Sequence, residues 1–157
     1  ADRRNLHYSI DDRADGYASA MREANLSPML IRPADDMPNA DFGEMTRAWL
    51  AVDEPPTAVL CYSPREALPT LYTAARLGLE VPGDLSIIVF EPEPVNACGI
   101  ELTTILLPAE QLGRVAVRNL MQRVRDPDTP LPPAVLPFQF QHGQTIGPPR
   151  YDRMKTG

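Results

Sequence analysis

Only two cysteines and two histidines occur among the 157 residues, and that scarcity removes several chemistries at once. Cys61 and Cys98 stand 37 positions apart and belong to no C-x-x-C pair, so they make neither a disulfide framework nor a zinc site. A reduced, cytoplasmic protein is the simple reading. His7 and His142 lack metal-ligand spacing, so neither a metal nor another cofactor is expected. No apolar run approaches the ~20 residues that span a bilayer, and no secretory leader pattern opens the chain. There is no P-loop, no G-x-G-x-x-G, no G-x-S-x-G elbow and no H-E-x-x-H. The acidic pairs Asp11-Asp12 and Asp35-Asp36 fall where helix starts and loops place them. No catalytic residue is expected. Positive charge is also short: 15 basic residues face 21 acidic ones, a net charge of −6. Such a surface does not grip phosphate backbones.

What is present describes an ordinary globular chain. Hydrophobic residues make up 43% and charged residues 23%, enough for one domain with a real core. The 18 prolines, roughly twice the usual share, sit mostly between periodic segments. Ser9 is placed to cap a first helix with Asp12 at its third position, and Tyr17, Ala20, Met21 and Ala24 form its apolar face. Met29-Leu30-Ile31 reads as a strand and Asp36 to Asp41 as a loop. Phe42, Met45, Trp49 and Leu50 mark a second helix, with Trp49 in the core. The unbroken apolar run Ala58 to Tyr62 suits a strand buried on both faces.

Ser63-Pro64-Arg65-Glu66 is a helix start with Ser as N-cap, Pro at the first position and Glu at the third. Leu68, Leu71, Tyr72 and Ala75 are its predicted inner face. Pro69 should kink it, and Gly78 should end it. Leu85 to Phe90 is a further strand. Helices and strands thus alternate, which implies an α/β, Rossmann-like parallel sheet flanked by helices. Residues 91–101 read as a linker and Leu102 to Leu106 as a strand. Pro108 to Val124 reads as an amphipathic helix with a stripe of Leu112, Val115, Ala116, Val117, Leu120, Met121 and Val124. Pro127 to Pro133 reads as a second linker. Leu136, Phe138 and Phe140 alternate as in a half-buried strand, and the tail from Gly147 is polar.

Four landmarks now stand in order: Ser9-x-x-x-Arg13-x-x-Gly16-Tyr17-x-x-Ala20-Met21; Pro56 to Leu60 followed by Ala67-Leu68; Gly78-Leu79-Glu80-Val81-Pro82-Gly83-Asp84 leading into Leu85–Phe90; and Leu102-Thr103-Thr104-Ile105 with Pro108, Leu112-Gly113-x-x-Ala116, Leu136-Pro137 and Gly147-Pro148-Pro149. In these the chain resembles the effector-sensing domain of the lactose/galactose-repressor family, which has the fold of type I periplasmic sugar-binding proteins. The resemblance implies a C-terminal sensing subdomain from residues 1–91 and 134–146. It implies hinge crossovers at 92–101 and 127–133, and a strand-helix segment, 102–126, that belongs to the other subdomain. Residues 147–157 form the tail. It implies further that a DNA-binding headpiece, the first sensing subdomain and the first strand of the second lie outside this chain. The whole protein would be a homodimeric repressor that meets operator DNA only through the headpiece and responds to a small-molecule effector: a sugar, a sugar acid or a nucleoside. A solute-binding protein of a transport system shares the fold and is the alternative. A bare interaction module is the third reading.

Open α/β sheets bind ligands at the carboxyl ends of their strands. By resemblance, Arg13 would clamp effector oxygens. The family's Asn-Asp pair is replaced here by Ser63-Pro64, and its Phe-Asp-Asp by Phe90-Glu91-Pro92, so an ordinary hexose fits poorly. Tyr8 and Tyr62 can stack on a ring, and Ser9 lies in the same loop region as His7. Each has a plainer role available: Arg13 can pair with Asp12, Asp15 or Glu91, Ser63 can simply cap its helix, and Glu91 can be a solvated carboxylate. His142 falls where the family has an arginine.

The charge balance generates a first prediction. This chain binds no duplex DNA tightly, and a gel-shift titration at low salt shows no retarded band. A salt-sensitive complex would contradict the reading.

Overall fold

The computed structural model describes residues 8–32 and 41–148. His7, Asp36 and the tail beyond Pro148 lie outside the described residues. The chain divides between Asp41 and Phe42 into two compact units.

The first unit contains helix α1, Tyr8–Glu23. Ser9 is therefore the second residue of the helix, not its cap; the helix begins two residues before Ile10, the first helical position that the Ser-x-x-Asp signature implies. Ala18 is the buried residue, Tyr17 and Met21 are half-buried, and Ala20 and Ala24 are exposed, so the apolar face is narrower than predicted. The helix ends with Asn25 at a φ of 58°. Asn25 N–H donates to the Arg22 carbonyl at 2.9 Å and Leu26 N–H to that of Met21 at 2.8 Å, the paired bonds of a Schellman ending. Residues 29–31 are not a strand. Their segment is tied instead to α1 side chains: Met29 N–H donates to the Tyr17 hydroxyl at 3.2 Å, and Arg32 pairs with Asp11 at 3.0 Å. An apolar triplet becomes a strand only when a neighbouring ladder takes its backbone groups.

The second unit holds the sheet. Helix α2 is Phe42–Leu50, strand β1 Ala58–Cys61, helix α3 Pro64–Arg76 and strand β2 Ser86–Glu91. Strands β3 Asn96–Ala97 and β4 Ile100–Glu101 follow, then β5 Thr103–Leu106, helix α4 Ala109–Arg125 and strand β6 Gln139–Gln141. The main sheet runs β1-β2-β5-β6, with the first three parallel and β6 antiparallel. Strand β5 thus lies inside the sheet of β1 and β2. By the resemblance residues 102–126 belong to the other subdomain; here the strand Thr103–Leu106 pairs with Ile88–Glu91.

Helix α3 forms as its sequence dictates. The Ser63 hydroxyl accepts from the Arg65 N–H, the Glu66 carboxylate accepts from the Ser63 N–H, and Pro64 opens the first turn. The helix runs on through Pro69. At its end Gly78 takes a φ of 74°, with Gly78 N–H bonded to Ala75 and Leu79 N–H to Ala74, again a Schellman ending. The buried arc is Ala67, Thr70, Thr73 and Ala74. Leu71 packs on the core, but Leu68, Tyr72 and Ala75 are exposed, against the prediction. The helix approaches the sheet on its smallest side chains, and that turns the larger ones outward. Buried Thr46 and Thr70 share a hydrogen bond of 3.1 Å that joins α2 to α3.

Cys61, Ala67, Ala74, Leu85, Ile87, Val89 and Leu102 form the core, with Trp49 packed against them as expected. Leu85, Ile87, Val89 and Leu102 are fully buried, each contributing about 1.5–3 kcal/mol. Strand β1 is not buried on both faces: Leu60 is 40% exposed, because β1 ends the sheet and only the face of Val59 and Cys61 meets the core. Residues 96–101 are a hairpin, not a plain linker. Cys98 and Gly99 both have positive φ, 51° and 89°, the signature of a type I′ turn. Strand β6 is shorter than the alternation of 136–140 suggests, and Phe138 and Phe140 stay exposed at its open edge. No residue of α4 is buried, so its apolar stripe is not covered by folding back on this chain.

Thr145 closes the other end of the sheet. Its backbone carbonyl accepts from Ile87 N–H at 2.7 Å, and its hydroxyl donates to the Ile87 carbonyl at 2.7 Å while accepting from Thr103 N–H at 2.9 Å. Gly147 N–H donates to the Ser86 hydroxyl at 3.1 Å, which anchors the chain there to the start of β2. A Cβ on Gly143 would run into the Glu101 carbonyl and the Leu102 backbone. Replacing Thr145 by Val leaves a buried donor and a buried acceptor without their partner. The expected loss is about 1–3 kcal/mol in urea unfolding, with Thr145→Ser retaining most of the stability. An unchanged midpoint for Thr145→Val would contradict this role.

Candidate functional site

Strands β1, β2 and β5 are parallel neighbours, so their carboxyl ends point to one edge of the sheet. Ala58 pairs with Ser86 and Cys61 with Val89; extending that register by two residues sets Ser63 level with Glu91. Glu91 in turn pairs with Leu106, and its carbonyl accepts from Leu107 N–H at 3.0 Å. Tyr62, Ser63 and Glu91 are thus brought to the same edge, all half-buried.

Ser63 is heavily used by its helix. Its hydroxyl donates to the Glu66 carboxylate at 2.7 Å and accepts from Arg65 N–H at 3.2 Å, and its own N–H donates to Glu66 at 2.8 Å. One lone pair remains for a ligand. Arg65 lies over the Phe42 ring at 5.4 Å. The carboxylate of Glu91, by contrast, has no hydrogen bond or ion pair among the described residues. At the same edge, on the face of Phe90 and Ile105 rather than that of Glu91, Phe138 sits one position before Gln139, which pairs with Leu106. Its ring meets that of Phe90 edge-on, centroids 6.3 Å apart at 72°. The alternation of Leu136, Phe138 and Phe140 was the visible signal, but it does not say that the face is open.

The remaining predicted residues belong to the first unit. Arg13 and Ser9 are four apart on α1, on one helix face, and half-buried. Tyr8 is the first residue of that helix. His142 is exposed, with the Phe140 ring edge-on at 4.7 Å. No group of three metal-ligating side chains exists among the described residues, and no described helix is long and apolar enough to cross a membrane. A shallow depression of about 500 Å³ lies elsewhere, along Gly113, Arg114, Val117 and Arg118 of α4.

The cysteines differ sharply. Burial pushes the Cys61 thiol up to about 12, the Glu66 charge adds to the rise, and a hydrogen bond with Thr70 pulls the other way. Cys98 is exposed. Neither is in a disulfide.

An open α/β sheet with parallel strands ending at one polar and aromatic edge is the architecture of a small-molecule binding domain. The chain belongs to the periplasmic-binding-protein-like domain family, whose pattern it matches over residues 2–146. It is 37% identical over 116 residues to the transcriptional repressor CytR of Escherichia coli K12, covering 72% of this chain and 34% of that protein. It is 32% identical over 130 residues to the repressor PurR of Actinobacillus pleuropneumoniae, covering 81% of this chain and 38% of that protein. It therefore spans about a third of the length of these curated relatives. Among solved structures it shares the fold of a LacI-family regulator from Enterococcus faecium with bound ribose: 22% identity, a TM-score of 0.69, 92% of this chain and 54% of that one.

Thiol chemistry provides a direct check. At pH 8 iodoacetamide alkylates Cys98 in the folded protein, and Cys61 only after unfolding, because a buried thiol that resists ionisation is a poor nucleophile. Since the folded value is raised from 9.0 to about 12, the unfolded chain releases its proton first. The contribution of Cys61 to stability is complete below pH 9 and declines from there toward pH 12. Rapid native alkylation of Cys61, read by mass spectrometry, would contradict the packing.

Proposed function

We propose that this chain is part of the effector-sensing domain of a bacterial transcriptional repressor, and that its effector binds at the carboxyl edge of β1, β2 and β5. The observation that carries the reading is the 37% identity to a repressor over 116 residues, coupled to a strand-end edge that holds Tyr62, Ser63 and Glu91. The transport alternative draws on the shared fold alone; both curated relatives described above are repressors.

In this reading Glu91 accepts hydrogen bonds from the effector, the Ser63 hydroxyl adds one polar contact, and Tyr62 supplies ring surface. By the family resemblance Arg13, on α1 with Ser9 and Tyr8, contacts effector oxygens. The intact repressor is a homodimer that carries a headpiece for the operator. The solvated stripe of α4 packs on the other sensing subdomain. The effector acts by binding one relative orientation of the subdomains more tightly than the other, and it can shift the equilibrium only by that difference.

Calorimetry on the intact protein tests this with Arg13→Ala. Loss of a charge-assisted contact weakens effector binding by about 1.5–3 kcal/mol while the thermal midpoint without effector stays put. An unchanged titration would return Arg13 to a surface ion pair.

A further inference from the structure

The ladder brings four residues into one row across the carboxyl edge. Glu91 pairs with Leu106 and Leu106 with Gln139, and residues paired in a ladder show their side chains on one face. Ser63, level with Glu91 and two positions beyond Cys61, falls on the same face. Phe90, Ile105 and Phe140 lie on the opposite one. The row reads Ser63, Glu91, Leu106, Gln139. Its first two members can only accept. Ser63 spends its hydroxyl proton on Glu66, and Glu91 is a carboxylate with no partner among the described residues. Leu106 is half-buried and apolar. Gln139 is exposed, and its amide has no hydrogen bond or ion pair among the described residues. Gln141, on the same strand and face, shows the contrast: it is half-buried and donates to the Glu101 carboxylate at 3.3 Å. One glutamine ties its strand to a neighbour; the other keeps its donor and its acceptor unspent.

A ligand hydroxyl both donates and accepts. At Ser63 and Glu91 its proton is taken and its oxygen is offered nothing, and an acceptor left unpaired in a half-buried site costs free energy. We propose that Gln139 is a specificity-determining residue of the effector edge, its amide N–H donating to a hydroxyl oxygen of the effector across Leu106 from the group that Glu91 holds. Strands stand about 4.8 Å apart, so two strand spacings separate the carboxylate strand from the amide strand by about 10 Å. With a hydrogen bond of about 2.8 Å at each end, a polyol roughly 4 Å between its outer oxygens bridges them while it rests on Leu106. This inference rests on the effector reading above and adds a donor to a row that otherwise only accepts.

Calorimetry on the intact protein tests this with ribose, glucose and adenosine as probes, each beside its monodeoxy forms. Gln139→Ala weakens the parent that binds by about threefold to tenfold, the worth of one neutral hydrogen bond. That loss vanishes with the one deoxy form that lacks the oxygen Gln139 reads and persists with the others, a double-mutant cycle between a residue and a hydroxyl. Gln139→Glu keeps the shape without the N–H and loses at least as much. The thermal midpoint without ligand stays put in both variants, because the side chain is exposed. Unchanged affinity in Gln139→Ala, or an equal loss with the parent and every deoxy form, overturns the role of Gln139 and leaves the effector reading intact. Binding of none of the probes contradicts both.

Discussion

Strand β2 has two different neighbours along one side, and the second unit is organised by that arrangement. Its carboxyl half, Ile88–Glu91, pairs with β5. At its start Ile87 and Ser86 are bonded to Thr145 and Gly147. Thr145 sits where the three strands of chain meet, with its backbone and hydroxyl both engaged. The buried hydroxyl is well satisfied, so its position is costly to change. With the amino ends so fixed, the parallel register carries straight through to the opposite edge, where Glu91 stands between Ser63 and Leu106.

The two ends of the sheet therefore have different physics. The Thr145 end is dense, with Gly143 pressed against the Glu101 and Leu102 backbone where no side chain fits. The carboxyl end is looser, half-buried and chemically mixed. Binding sites are usually built this way, a rigid scaffold presenting groups whose own bonds are not all satisfied. The carboxylate of Glu91, with no hydrogen bond or ion pair among the described residues, fits that pattern. Helix α4 adds a separate demand: Leu112, Val117, Leu120, Met121 and Val124 are solvated on this chain. A stripe of that size is costly to leave in water and marks a surface meant to be covered.

Local signals were legible in the sequence wherever backbone chemistry decides the outcome. Ser63-Pro64-x-Glu66 and Gly78 predicted both ends of α3, and the alternation of segments predicted the parallel sheet. What the sequence did not reveal depends on neighbours. Residues 29–31 look like a strand but are bonded to α1 side chains. Leu68 and Tyr72 look like an inner face, yet the close approach of Ala67 and Ala74 to the sheet turns them out. The hairpin 96–101 was missed because its turn residues, Cys98-Gly99, differ from the usual Asn-Gly. That Tyr62, Ser63 and Glu91 share one sheet edge followed from strand ends alone. The exposure of Phe138 did not, because alternation shows which residues share a face and not whether that face is open.

The central claim is that the carboxyl edge of β1, β2 and β5 is where a small molecule is felt. Amide hydrogen exchange on the intact protein, with and without its effector, tests this most directly. The account predicts that effector slows exchange at Ser63, Glu91 and Leu107 and leaves the amides of Ile87 and Thr103, at the opposite end of the strands, unchanged. Protection centred on residues 109–125 or 143–147, with none at the strand ends, would contradict it.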